Sequence, residues 1–148
     1  MDESELRNEI RFGLENLAKI YLNISKFAQQ DIDEEIKVAA LTYECFGYYN
    51  AIEHLVIRIL KHQKVRIPAG QFSHRDTLKS FEALIAQKVI KADEEVIKTI
   101  ENLMAFRHVA TKIYSFLIDW NKLQIIIDDI EKNHQQIQQF FTDILDAL

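Results

Sequence analysis

Residues 35–60 read EIKVAALTYECFGYYNAIEHLVIRIL. Ile36, Ala39, Ala40, Tyr43, Phe46, Gly47, Asn50, Glu53, His54, Ile57 and Leu60 recur at steps of three and four, the period of one helix face. The spacing predicts a helix from Glu35 to near Arg66, stopped before Pro68 and Gly70, with Tyr43 and Phe46 in the core and Tyr48 and Tyr49 toward a subunit interface. On the N-terminal side, Leu6, Ile10, Phe12, Leu14, Leu17, Ile20, Tyr21, Ile24 and Phe27 keep the same period up to Gln29-Gln30-Asp31 and define a first long helix. Beyond the turn, Ser73 and Asp76 have the Ser-x-x-acid spacing of a capping box. They start a third helix running to Lys88, with Leu78, Phe81, Leu84 and Ile85 inward. Asp93 caps a fourth, whose inner face carries Val96, Ile100, Leu103, Met104, Arg107 and Ala110. Asp119 or Asn121 caps a fifth, with Leu123, Ile126, Ile127, Ile130, Ile137, Phe141, Ile144 and Leu148 in register. Nothing reads as a strand. The expectation is an all-α, up-and-down bundle of about five helices forming one domain over residues 1–148.

Composition agrees with that expectation and narrows function. Three glycines and one proline in 148 residues leave little to punctuate long helices. The one cysteine, Cys45, can form neither an internal disulfide nor a zinc cluster and is read as an apolar filler. The acidic start, Met1-Asp2-Glu3-Ser4-Glu5, is unlike a secretory signal, and no uncharged stretch is long enough to cross a bilayer. A cytoplasmic protein with no membrane contact is expected. A net charge of −5 argues against strong nonspecific nucleic-acid binding, so any RNA contact must use a local patch.

The chemistry concentrates in Phe106-Arg107-His108-Val109-Ala110-Thr111-Lys112-Ile113-Tyr114. Arg107 and Tyr114 lie seven apart and share a face if α-helical geometry persists between them. Cleaving RNA without a metal needs a group to take the 2′-hydroxyl proton, a donor for the leaving oxygen and a cation for the charge that develops on phosphorus. An arginine fork grips phosphate through two bonds, and histidine suits the proton transfers because it titrates near neutrality. His108 adjoins Arg107 but points about 100° away around a helix, so it joins Arg107 only where the helix ends or a second subunit closes the site.

This segment resembles the Arg-x4-6-His-x-Tyr motif of the HEPN superfamily. The likeness is greatest to the HepT-like toxins, in which Arg-His-x-x-Arg-His-x-Tyr runs off the end of a helix. Arg107, His108 and Tyr114 match that pattern, whereas Thr111 and Lys112 replace its second arginine and its histidine. Tyr48-Tyr49 with Glu53, the loop Ile67-Pro68-Ala69-Gly70, Ser73 to Leu78, and Asp119-Trp120-Asn121-Lys122-Leu123 resemble the corresponding parts of such proteins, in the same order. The resemblance implies a helical bundle that pairs as a homodimer, bringing the motifs of two subunits into one cleft that cuts RNA. It also implies a partner, a small MNT-type nucleotidyltransferase antitoxin that transfers nucleotide onto the tyrosine matched by Tyr114. On this reading Arg107 binds the scissile phosphate, His108 or Lys112 supplies the compensating polar group, and Tyr114 positions RNA or accepts the nucleotide. Lysine is normally protonated at neutral pH, so Lys112 can hold phosphate but is poorly suited to take a proton. The alternative is therefore a catalytically silent module that keeps the bundle and binds a nucleotidyltransferase or a nucleotide.

Other polar groups have plainer readings. His74 is an accessory candidate for the cleft, but it sits in the first turn of a helix, where a solvated histidine is commonplace. The run Lys61-His62-Gln63-Lys64-Val65-Arg66 suits a helix C-terminus and its dipole as well as it suits RNA. Glu131-x-x-His134 has a metal-binding spacing, yet occurs once where ferritin-like bundles need two. His134 is thus read as partly buried and hydrogen-bonded, with no metal or other cofactor expected.

Overall fold

The computed structural model describes residues 3–88, 90, 91, 93–113 and 118–147, and the side chains of all of these except Lys112 and Ile113. Five α-helices follow in order: α1 (Glu3–Ala28), α2 (Glu34–His62), α3 (Ser73–Gln87), α4 (Glu94–His108) and α5 (Trp120–Ala147), with a π-helical turn at Val109–Ile113. There is no strand among the described residues, and the architecture is an all-α helical bundle. No helix among them is long and apolar enough to cross a membrane.

α2 is the central element and packs against α1, α3, α4 and α5. Its register corrects the sequence reading. The residues it buries are Leu41, Cys45, Tyr48, Tyr49, Ile52, Leu55, Val56, Ile59 and Leu60. Tyr43 is 74% exposed and Ile36 61%. A helix flanked by four others is apolar around most of its circumference, so periodicity alone does not select which face turns inward. Tyr48 and Tyr49 are core, and Tyr43 is surface.

α1 lies close against α2 at Gly13, where an added Cβ would stand 2.5 Å from the Leu55 Cδ2 atom. The ion pair Arg58 Nε to Glu9 Oε2, at 3.0 Å, links the same two helices. α2 ends at His62, four residues before Arg66. The Lys64 amide bonds to the Lys61 carbonyl and the Val65 amide to that of Leu60, a Schellman pattern that places Lys64 in the left-handed region at φ 59°. Gly70 follows at φ +102°, where a side chain would be strained, and its carbonyl accepts the Ser73 amide at the entry to α3.

α3 begins at Ser73 as the capping pattern predicts, but the box itself is absent. Phe72 is the cap residue and makes no side-chain cap bond, because Ser73 already lies inside the helix. Asp93 does cap α4, accepting the Glu95 and Val96 amides, and Asp119 accepts the Lys122 amide at the start of α5. α4 is clasped to α5 through Asp129, whose carboxylate accepts from Thr99, Asn102 and Asn133. That clasp fixes the helix whose last turn carries Arg107.

Candidate functional site

Three helices converge on the C-terminal end of α4. Tyr49 and Glu53 lie one turn apart on α2, His74 is in the first turn of α3, and Arg107 and His108 close α4. The Tyr49 hydroxyl donates to Glu53 Oε2 at 2.7 Å. The same oxygen meets His74 Nδ1 at 2.5 Å. On the far side of the ring, His74 Nε2 lies 3.1 Å from Arg107 Nη1. Arg107 Nε donates to the Asn50 side-chain oxygen at 3.4 Å, and its guanidinium carbon stands 5.6 Å from the centre of the Phe46 ring.

These neighbours select one protonation pattern for the neutral imidazole. A guanidinium only donates, so Nε2 must offer its lone pair; a carboxylate accepts, so Nδ1 carries the proton. Burial pushes the Tyr49 phenol well above its ordinary range, reinforced by its bond to Glu53 and opposed by Arg107. Tyr49 therefore remains a donor and secures the carboxylate. The result is a chain from Tyr49 through Glu53 and His74 to Arg107, in which the unprotonated imidazole nitrogen faces the guanidinium.

That end is accessible. The Glu53 side chain is 16% exposed and that of His74 35%. His74, Arg107 and His108 line an open cavity of about 540 Å³, together with Phe72, Arg75 and Met104. The Arg75 guanidinium sits 4.5 Å over the Phe72 ring. Arg107 also lines a second groove of about 320 Å³, with Tyr43, Phe46 and Asn50. One cation thus stands between two open clefts, each with an aromatic wall.

Of the residues singled out from sequence, Arg107, His108 and His74 share one cavity. The His108 side chain is exposed and makes no hydrogen bond among the described residues. His74 is not the freely solvated side chain its position suggests. The α-helical register assumed between Arg107 and Tyr114 stops at His108, where the π turn begins; within it the Thr111 hydroxyl donates to the Arg107 carbonyl at 2.8 Å. The Lys112 side chain and all of Tyr114 lie outside the described residues. The sequence reading does not single out Glu53, Tyr49 or Asn50 as site residues. A signal for Glu53 exists in the sequence: it is the one charged residue in CFGYYNAIEHLVI, residues 45–57, counting His54 as neutral. A carboxylate there needs partners.

An all-α bundle carrying an arginine beside a carboxylate-backed imidazole at the end of its fourth helix is the class of protein these features define. The family model described as HepT-like protein matches residues 40–148, and the chain belongs to the HepT-like family of the HEPN superfamily. No curated protein and no solved structure matches it.

Proposed function

We propose that this protein is the toxin half of a toxin–antitoxin pair, a cytoplasmic, metal-independent endoribonuclease that acts as a homodimer. The observation that carries the reading is the placement of Arg107, a phosphate-gripping side chain open to two aromatic-walled clefts and adjoining an imidazole. Tyr43, exposed beside Phe46, gives a base a face to stack on, so the acidic chain gains its RNA contact from a local surface. The partner is an MNT-type nucleotidyltransferase antitoxin, which silences the toxin by transferring nucleotide to Tyr114. Purified protein with single-stranded RNA and a chelator should yield fragments, and Arg107→Ala should abolish them. Persistence of cleavage in that variant would overturn the reading.

Lys112 in the motif-histidine position favours a second reading, a silent module that binds the nucleotidyltransferase without cutting RNA. It predicts inert wild type and gain of cleavage in Lys112→His, since one imidazole would restore a base.

A further inference from the structure

We infer that His74, oriented by Glu53, is the proton acceptor for RNA cleavage, supplied from a different helix than the motif. This rests on the endoribonuclease reading. The neighbours on both sides already favour the neutral tautomer with a proton on Nδ1 and a lone pair on Nε2, as a base requires. The lone pair faces the arginine that holds phosphate, 3.1 Å away, at the wall of an open cavity. When Arg107 turns its fork onto a phosphodiester, Nε2 is released beside the nucleotide attached to it.

The step balances as a transesterification. Nε2 takes the proton from the 2′-hydroxyl, the 2′-oxygen forms a bond to phosphorus, and the bond from phosphorus to the 5′-oxygen breaks. The leaving oxygen takes a proton from water at the rim, and His74 returns its own to solvent. The products are a 2′,3′-cyclic phosphate and a 5′-hydroxyl. Glu53 is a positioning residue: its carboxylate holds the tautomer and stabilises the imidazolium, and Tyr49 holds Glu53. The charged and titratable groups around the ring are Tyr49 and Glu53 on α2, Arg107 and His108 on α4, and Arg75 on its own helix.

The test is cleavage of a short single-stranded RNA across pH by wild type, His74→Gln and Glu53→Gln, with circular dichroism confirming that each is folded. His74→Gln should lower kcat by about 10²- to 10⁴-fold and abolish the acidic limb of the rate profile, which a merely structural residue would leave in place. Glu53→Gln should lower kcat less. In His74→Ala, added imidazole should recover part of the rate through the open cavity. If wild type cuts and His74→Gln keeps both its rate within about threefold and its acidic limb, the inference falls while the endoribonuclease reading stands. If wild type does not cut at all, both fall together.

Discussion

Two histidines in this bundle are each tied to a tyrosine by hydrogen bonds, and their surroundings give them opposite characters. His134, on α5, is buried, shares a 2.8 Å hydrogen bond with the Tyr48 hydroxyl and stacks on Tyr21, with ring centres 3.9 Å apart and planes 1° from parallel. No carboxylate backs it in that hydrogen bond, and burial lowers its pKa below 6.5. His74 reaches its tyrosine through Glu53, faces a cation and opens to solvent. Residue type is the same in both places; charge and access set the two rings apart.

The sharpest way to break the contrast is at the cation. Arg107→Ala should reduce RNA cleavage by at least about 10³-fold while leaving the melting temperature nearly unchanged, because the guanidinium sits at the edge of the core. His134→Ala should do the reverse. It removes a stacked ring and leaves the buried Tyr48 hydroxyl unpaired, so unfolding by urea should show a loss of about 2–4 kcal/mol with the site's shape retained.

Acid should also separate the two regions. The unfolded chain protonates His134 near pH 6.5, before the folded protein does, so it binds more protons as pH falls. The stability contributed by neutral His134 is fully present above that pH and declines below it until the folded pKa is passed. Chemical denaturation at a series of pH values should show this decline in wild type, with less of it in a folded His134→Gln variant. A smaller effect is expected at the end of α2, where Lys64→Gly relieves a left-handed residue in an exposed turn and should raise stability by up to about 1 kcal/mol in the same denaturation experiment.

What was legible in the sequence follows from how many neighbours each element has. α1 and α5 each show one apolar stripe, and Leu6, Ile10, Leu17 and Ile24, then Leu123, Ile126, Ile127, Ile130 and Ile137, are buried as their spacing requires. α2 has partners on several sides, so its pattern supports more than one inward face and does not identify the buried one. The site divided similarly. Arg107 stands in a local motif and could be found along the chain, whereas the contact of His74 with Glu53 and Arg107 joins three helices. Such a contact depends on packing, not spacing. His74 looked ordinary because its two partners are 21 and 33 residues away in sequence.

The π turn at Val109–Ile113 widens the chain directly after α4. A helix that receives one extra residue can swell locally instead of rotating everything beyond it by about 100°. Upstream, α4 is anchored to α5 through Asp129; downstream, the chain is anchored again where Asp119 caps α5. The widened turn takes up one residue more than an α-turn, while Asp129 holds α4, and with it Arg107, from upstream. Spacing counted at the α-helical period therefore stops giving direction at His108.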